Sequence, residues 1–331
     1  MILFWILVGI LSFLLLSVCL VTVCLYRYGL SRRPFPFSPA QMDVWADPPK
    51  PRTRSDGTPY DPYGWGDAIR KADLALFELG QSAPRFTITS RDGLTLAARY
   101  IAPENAPRGI VLMVHGYRSD PINDFSFAVR DMRQMGMGCL LIEHRAHLTS
   151  DGNTITFGVM ERYDVLEWAR FLEKEFPGTP VIFDGISMGG ATVMMAAALD
   201  LPRNVRGIIA DCGFTSMHEM FEKIIGEWFH LPPWPFIPLA SAYSRLINGF
   251  GFSDVTTAES LKRAKVPVIL AHGTGDTFVP FTMAEKIYGA VRDSIDITFI
   301  KAEGAEHGMT YLKEYESYKG AVEALFDRCT A

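Results

Sequence analysis

Hydrophobic residues follow three different patterns along this chain. Residues 1–26, MILFWILVGILSFLLLSVCLVTVCLY, form one apolar run without a charged side chain, which exceeds the roughly 20 residues that a helix needs to cross a bilayer. Residues 27–62 are rich in proline and turn-forming residues and show no hydrophobic period, so they predict a partly extended linker. Residues 63–331 alternate short apolar runs with amphipathic segments, which indicates one folded domain.

The pattern of the third region predicts a sheet covered by helices. It opens with GDAIRKADLALFELG at helical spacing, and two alternating stretches then flank Asp92 and Gly93, a dipeptide that favours a tight hairpin turn. Six short, mainly apolar runs follow, which read GIVLMVHG, GCLLIEHR, PVIFDG, RGIIADC, PVILAHG and IDITFIKAEG. Because these runs alternate with segments of helical length, we predict a mainly parallel α/β sheet of about eight strands with helices on both faces.

The amino-terminal run allows two interpretations. A cleaved signal peptide needs a basic start, a shorter apolar core and a small-x-small cleavage site, and the first three residues supply no side-chain charge. We therefore favour a single transmembrane helix over 1–26. Arg27, Arg32 and Arg33 follow the run, and the positive-inside bias then predicts that the folded domain is cytoplasmic.

Charge and cysteine usage exclude some classes of function. The formal net charge is −5 and the body contains no long run of lysine and arginine, so a nucleic-acid partner is not expected, because such binding needs clustered positive charge. Outside the apolar run only Cys139, Cys212 and Cys329 remain, at scattered spacings. This unpatterned set indicates reduced thiols and no zinc site.

A Gly-x-Ser-x-Gly motif stands between a predicted strand and a predicted helix. In VIFDGISMGG, Ser187 follows the apolar run and precedes the helix-favouring GGATVMMAAALD. A nucleophile on such a turn needs space that Gly185 and Gly189 would leave. A serine hydroxyl also needs a histidine base and an orienting carboxylate. Downstream, Asp276 and His307 each follow a predicted strand.

Four motifs in this order resemble the α/β-hydrolase superfamily, in its branch of small esterases and serine-aminopeptidase-like hydrolases. They are VHGYRSD, GISMGG, HGTGDTFVP and AEHG, and the resemblance covers most of residues 86–328. It implies that Ser187 is the nucleophile, His307 the general base and then acid, and Asp276 the orienting carboxylate. It also implies an oxyanion hole formed by the backbone N–H groups of Tyr117 and Met188. Such chemistry needs no metal and no organic cofactor.

Other polar residues leave alternatives open. Asp211 follows an earlier strand and could serve as the acid, because geometry and not chain order defines a triad. The stretch EHRAH, residues 143–147, invites a metal interpretation, but it lacks the zinc-protease order, so we predict a structural, hydrogen-bonding His147. Members of the superfamily often show Arg-Gly-His-Gly there. This chain replaces both glycines, with Ala146 and Leu148, which leaves the path of the loop uncertain.

The segment from about residue 214 to 262 is longer than one crossover helix requires. It could be such a helix with an ordinary buried face. Its density of aromatic residues favours a short helical cap, in which four side chains line an apolar acyl pocket over the serine: Trp228, Phe229, Trp234 and Phe236. Together with the membrane helix, this cap suggests a lipid-like or other apolar acyl substrate.

The predicted activity is hydrolysis of a carboxylic ester through an acyl-enzyme. Thioesters and small amides remain possible substrates. The serine in the Gly-x-Ser-x-Gly motif disfavours a reaction that uses a carboxylate as the nucleophile. A peptidase of the same fold is the nearer alternative, in which acidic residues of the cap would bind a free amino terminus, although Glu219, Glu222 and Glu227 also fit the solvated face of a helix. A non-catalytic, membrane-tethered scaffold is the more distant one. The predicted partners are a small acyl substrate and the membrane.

Overall fold

The computed structural model describes residues 1–32, 43–54 and 56–330, so part of the predicted linker lies outside the described residues. Its strands are β1 Arg85–Thr89, β2 Thr95–Ile101, β3 Gly109–Val114, β4 Met137–Ile142, β5 Val181–Ile186, β6 Val205–Asp211, β7 Val268–Gly273 and β8 Ile297–Ala302. Its helices are α1 Ile2–Leu30, α2 Gly66–Gln81, α3 Pro121–Gln134, α4 Glu161–Glu175, α5 Met188–Ala196, α6 Met217–Trp228, α7 Pro233–Asn248, α8 Thr257–Leu261, α9 Phe281–Val291, α10 Thr310–Lys313 and α11 Tyr315–Thr330, with a 3-10 turn at Pro62–Gly64.

The eight strands of the described chain form one sheet in the order β1-β2-β4-β3-β5-β6-β7-β8. β2 pairs antiparallel with β1 and β4, and the remaining neighbours pair parallel. The hairpin between β1 and β2 turns at Asp92 and Gly93, where Gly93 has a φ of 87°. The predicted mainly parallel sheet of about eight strands is confirmed, and all six apolar runs form strands.

Apolar layers cover both faces of the sheet. On one face pack Trp168 of α4, Val193 of α5 and Ile287 of α9. On the other face pack Phe125 of α3 and Phe326 of α11. Strands β3 and β4 are buried along their full length, because helices cover both of their faces. This core holds the C-terminal strand ends in fixed positions.

The N-terminal helix continues beyond the predicted span and partly packs against the domain. It extends four residues past Tyr26, to Leu30. Its segment Phe4–Leu30 has a mean hydropathy of 2.8, so it is long and apolar enough to span a membrane. Residues 4–16 are exposed, whereas Thr22, Tyr26 and Leu30 are buried. These buried positions lie four residues apart, which places them on one face of the helix.

The described part of the predicted linker packs against the domain. The ring of Trp45 is only 3% exposed, and it lies so close to Gly80 that a Cβ there would be 1.9 Å from a ring atom. Arg52 forms an ion pair with the buried Asp73, at 2.5 Å between nitrogen and oxygen. One buried ring and one partly buried ion pair therefore position a segment whose sequence has no hydrophobic period.

Three helices connect β6 to β7, where we predicted a cap or an ordinary crossover. The short α8 packs against α5 and α9 and makes the crossover. Helices α6 and α7 pack against each other, and α7 also contacts α1. Phe221 of α6 and Phe236 of α7 line the same pocket as Ser187. The extra length of this segment is thus explained by two helices that lie over the serine.

The turn between β5 and α5 leaves no room for side chains on either side of the serine. A Cβ on Gly185 would lie 2.3 Å from the carbonyl oxygen of Gly189. A Cβ on Gly189 would lie 1.7 Å from the carbonyl oxygen of Val114, at the end of β3. Both glycines therefore meet the steric requirement that the motif predicts, and the turn packs directly on the backbone of β3.

Gly189→Ala is expected to lower the free energy of unfolding by about 3 kcal/mol, because the added methyl group would collide with a main-chain oxygen. Gly320→Ala is the matched control: Gly320 lies in α11, and a Cβ there would meet nothing within 4 Å. The control should be neutral, or stabilising by up to about 1 kcal/mol. Denaturant unfolding of the full chain in the same detergent measures the free energy of unfolding of both variants. Equal losses for Gly189→Ala and Gly320→Ala would contradict the close packing of Gly189.

Candidate active site

Ser187 lies at the C-terminal end of β5 in a strained turn. Its φ of 56° and ψ of −116° are rare for a residue with a side chain. Its backbone N–H donates to the carbonyl oxygen of Asp211 at 2.9 Å, and its own carbonyl accepts from the N–H of Ala191 at 3.0 Å. These bonds hold the turn in place while the serine stays partly exposed.

The side chains of Ser187, His307 and Asp276 form a hydrogen-bonded chain. His307 Nε2 lies 2.9 Å from Ser187 Oγ, and His307 Nδ1 lies 2.6 Å from Asp276 Oδ2. The three residues follow β5, β8 and β7, whose C-terminal ends share one edge of the sheet. The structure therefore brings together three residues that come from three separate sequence motifs.

The carboxylate of Asp276 is buried and yet ionised. Its Oδ1 accepts the backbone N–H groups of Phe278 at 2.9 Å and of Val279 at 2.8 Å. Burial acts to raise its pKa, but the hydrogen bonds from His272 and His307 outweigh burial and lower the pKa to about 2. Asp276 is therefore a fixed negative charge next to His307 Nδ1.

Asp211, the alternative acid, has a different environment. It is buried at the end of β6, and burial raises its pKa to about 6. Among the described residues, the carboxylate that hydrogen-bonds His307 is that of Asp276. Asp184 of β5 is buried as well, and burial together with the charge of Asp211 raises its pKa to about 8. Geometry therefore favours Asp276 over Asp211 as the partner of His307.

One group of potential metal ligands lies at this site. The ligand atoms of Cys212, Asp276 and His307 are within 4.8 Å of one another. Burial raises the pKa of the Cys212 thiol well above its usual range, and a protonated thiol is a poor ligand. Because Asp276 and His307 already hydrogen-bond each other, these residues fit a metal ion poorly.

The two backbone N–H groups predicted for an oxyanion hole border the serine. Met188 directly follows Ser187 as the first residue of α5. Gly116, which precedes Tyr117, lies so near that a Cβ on it would be 3.3 Å from Ser187 Cβ. Within the described ranges, neither the Met188 N–H nor the Tyr117 N–H donates to a protein acceptor. Both groups can therefore donate to a ligand oxygen.

Side chains from two neighbouring elements hold the loop of residues 116–118. The Gly116 N–H donates to Asp124 Oδ2 of α3 at 2.7 Å, and the Arg118 N–H donates to His147 Nε2 at 2.9 Å. Burial lowers the pKa of His147 to about 3, so the ring is neutral and can accept. Its Nδ1 lies 2.9 Å from the carbonyl oxygen of Arg145. His147 thus has the predicted structural role, with both ring nitrogens bonded to backbone groups.

An apolar chamber lies beside Ser187. Its walls come from α1, α6, α7 and the loops that follow β3 and β7, and they include Tyr117, Phe221 and Phe278. Among the described residues that line it, none carries a charged side chain. This composition is typical of a site for a small apolar molecule.

A second, more polar cleft also reaches the serine. Arg52, Ser119, Asn123 and His307 line it, and it shares Ser187, Tyr117 and Phe278 with the apolar chamber. The serine hydroxyl therefore lies where an apolar chamber meets a polar cleft.

Comparisons with known proteins support a family of hydrolases. A family model described as serine aminopeptidase, S33, matches residues 105–249, which is less than half of the chain. The uncharacterized protein YqkD of Bacillus subtilis is 26% identical over 243 residues, or 73% of this chain and 78% of YqkD. Human monoglyceride lipase is 30% identical over 129 residues, or 37% of this chain and 40% of the lipase, so that match spans about two fifths of the lipase's length.

Solved structures share the fold over most of the chain. The esterase Pf2001 of Pyrococcus furiosus superposes with a TM-score of 0.62 at 20% identity, over 77% of this chain and 94% of the esterase. The chain has the α/β-hydrolase fold. The acylaminoacyl peptidase of Pyrococcus horikoshii, with a TM-score of 0.57 at 18% identity, shares this fold over 75% of this chain and 41% of the peptidase.

Three of the four aromatic residues predicted for the pocket line the apolar chamber. Trp228, Phe229 and Phe236 are in its walls. The prediction for Trp234 is wrong, because this side chain is 76% exposed. It lies between two prolines at the start of α7, with a non-helical backbone of φ −89° and ψ 133°, and its ring therefore faces outward.

The loop after β4 has left-handed backbone conformations at two residues that are not glycine. Ala146 has a φ of 59° and Leu148 a φ of 44°, at the two positions where the superfamily often has glycine. Each side chain in this region of backbone space costs roughly 1 to 2 kcal/mol. Both are buried, so the path of the loop is maintained by packing despite this strain.

The apolar chamber also includes residues of α1 that the sequence did not lead us to expect. Thr22, Leu25, Tyr26, Tyr28 and Gly29 line it. A signal was present, because Thr22, Tyr26 and Gly29 are polar or small residues spaced four and three apart in an otherwise lipophilic run. Such a stripe is typical of a helix face that packs against protein.

Proposed function

We propose that this hydrolase cleaves carboxylic esters through Ser187 as the nucleophile, with His307 and Asp276 completing a triad. The observation that carries the proposal is the hydrogen-bonded chain from Ser187 Oγ through His307 to Asp276, at 2.9 and 2.6 Å. The strained backbone of Ser187 and the free N–H groups beside it are further support, since both are typical of a nucleophile elbow.

The proposed reaction proceeds through an acyl-enzyme. Ser187 Oγ attacks the ester carbonyl carbon while His307 Nε2 accepts the hydroxyl proton. The N–H groups of Tyr117 and Met188 stabilise the oxyanion, and His307 then donates the proton to the departing alcohol. A water molecule, deprotonated by His307, releases the acid and restores the serine. Throughout, the ionised Asp276 stabilises the imidazolium form of His307.

The surroundings of the serine favour an ester with one apolar and one polar part. The uncharged chamber suits an acyl chain, because burial of each methylene group contributes about 0.8 kcal/mol. The cleft with Arg52, Ser119 and Asn123 suits a small alcohol that carries hydroxyl groups. The names of two similar proteins, an esterase and a monoglyceride lipase, support this substrate class.

The alternative of a peptidase has less support, because the acidic residues of the cap already have partners. Each of the three glutamates of α6 lies near a basic group. Glu219 Oε2 lies 2.8 Å from Lys286 Nζ, Glu222 lies 3.3 Å from His218, and Glu227 pairs with Lys223. None of the three is among the residues that line the apolar chamber. A free amino terminus would therefore find no acidic partner there.

We also propose that α1 spans a membrane and that the hydrolase domain is cytoplasmic. The exposed and uncharged residues 4–16 support the span, and Arg27 and Arg32, which follow the apolar run, support the orientation. A tag on the C-terminus should resist protease added to intact cells and become sensitive when the cells are lysed. Digestion of the tag in intact cells would contradict this orientation.

A fluorescent fluorophosphonate is expected to label the full-length protein and to leave Ser187→Ala unlabelled. Asp276→Asn should slow labelling by about 10⁴-fold, because His307 would lose the charge that orients it. Asp211→Asn is the matched control, since Asp211 is also a buried acid at a strand end, and it should slow labelling by less than about tenfold. In-gel fluorescence against time measures all four proteins.

Two results of this labelling experiment would overturn the proposal. A larger loss in Asp211→Asn than in Asp276→Asn would assign the acid to Asp211. A wild-type protein that is folded, as shown by its cooperative unfolding, but takes no label would rule out an activated serine and favour the non-catalytic scaffold.

The substrate class is tested with monoacylglycerols of increasing acyl length. From acetyl to decanoyl, kcat/KM should rise by about fourfold for each methylene group until the chamber is filled, as burial of about 0.8 kcal/mol per group requires. Leucine p-nitroanilide, an amide with a free amino group, should be cleaved at least about 100-fold more slowly than the best ester. A preference for this amide would instead support a peptidase.

A further inference from the structure

The C-terminal turns of α1 are built into the wall of the apolar chamber. Thr22, Leu25 and Gly29 line it together with Ser187 and Met188. Thr22 and Gly29 are seven residues apart, which is about 10 Å along the helix axis. The helix therefore borders the chamber over about two of its turns.

Close packing fixes this part of α1 against the cap. The ring of Tyr26 makes an edge-on contact with Tyr243 of α7, with centroids 5.1 Å apart, and its hydroxyl hydrogen-bonds Asn248. Gly29 lies against Phe221 of α6, where an added Cβ would be 3.0 Å from the ring. This part of α1 thus packs directly against both α6 and α7.

Hydrogen bonds also join α1 to the loop beside the serine. The Tyr117 hydroxyl donates to the carbonyl oxygen of Gly29 at 2.7 Å, and the Arg118 guanidinium donates to the carbonyl oxygen of Tyr28 at 2.6 Å. Because Tyr117 lines the chamber with Ser187, Gly29 lies near the serine end of the wall. Leu25 lies one turn further along the helix.

We propose that α1 is a specificity element of the hydrolase, and that its side chains between Thr22 and Gly29 determine how long an acyl chain the chamber accepts. On this account the helix is both an anchor and one wall of the substrate site. The inference rests on the proposed ester hydrolysis, because the chamber is taken as the acyl site.

The test changes the volume of one wall residue in the full-length protein. Leu25→Trp should fill part of the chamber and lower the ratio of kcat/KM for decanoyl over acetyl glycerol by about tenfold, the effect of losing about two buried methylene groups. Leu25→Ala should enlarge the chamber and therefore raise a second ratio, that of kcat/KM for dodecanoyl glycerol over kcat/KM for decanoyl glycerol. Leu20→Trp is the matched control, because Leu20 lies on the same helix but is 65% exposed, and it should leave both ratios unchanged.

A second readout separates this inference from the proposed function. In Ser187→Ala, held in an amphipathic polymer so that no free micelles compete, the fluorescence of dansyl-undecanoate reports binding without turnover. Adding Leu25→Trp should weaken this binding by about tenfold, and adding Leu20→Trp should not. If binding responds in this way but the wild-type protein hydrolyses no ester, the proposed function is contradicted and the role of α1 in binding stands. Equal effects of Leu25→Trp and Leu20→Trp in both assays would overturn the role of α1.

Discussion

The approach of the β5–α5 turn to the end of β3 is the constraint on which the site depends. The backbones come so close that a single methyl group on Gly189 would lie 1.7 Å from the carbonyl oxygen of Val114. This contact leaves Ser187 in a strained conformation at the sheet edge and places the residues after β3 next to it. The N–H of Met188 and the loop of Tyr117 therefore flank the serine as a consequence of backbone packing, before any side-chain chemistry is considered.

The surroundings of the buried acids then give them different charges. The hydrogen bonds of His272 and His307 outweigh burial and lower the pKa of Asp276 to about 2, so it stays ionised. Burial and the charge of Asp211 raise the pKa of Asp184 to about 8. The two buried carboxyl groups thus differ because of the groups around them, and Asp276 is the permanent charge beside His307.

Much of the fold could be predicted from the sequence because the sheet is buried on both faces. Strands such as β3 and β7 appear as short, wholly apolar runs, and each ends where a polar residue is needed at the sheet edge. The same reasoning brought Ser187, Asp276 and His307 to one edge, where the structure places them within hydrogen-bond distance. Their catalytic roles remain predictions.

Other features gave a weak signal or none. The run over 1–26 is apolar almost throughout, so the stripe of Thr22, Tyr26 and Gly29 was the one sign that a face of α1 packs on the cap. Trp234 has the composition of a pocket residue, but its neighbouring prolines turn the backbone at the start of α7, and its ring is exposed. Trp45 is one buried ring of a core cluster, next to Gly80 and under the Arg99 guanidinium, and a single buried residue produces no periodicity.

A structure of the full-length protein after reaction with a decyl fluorophosphonate tests the central claim most directly. The account predicts phosphorus bonded to Ser187 Oγ, the phosphoryl oxygen within hydrogen-bond distance of the N–H groups of Tyr117 and Met188, and the decyl chain between α6 and the Thr22–Gly29 face of α1. A decyl chain in the polar cleft beside Arg52, or phosphorus on a different residue, would contradict it.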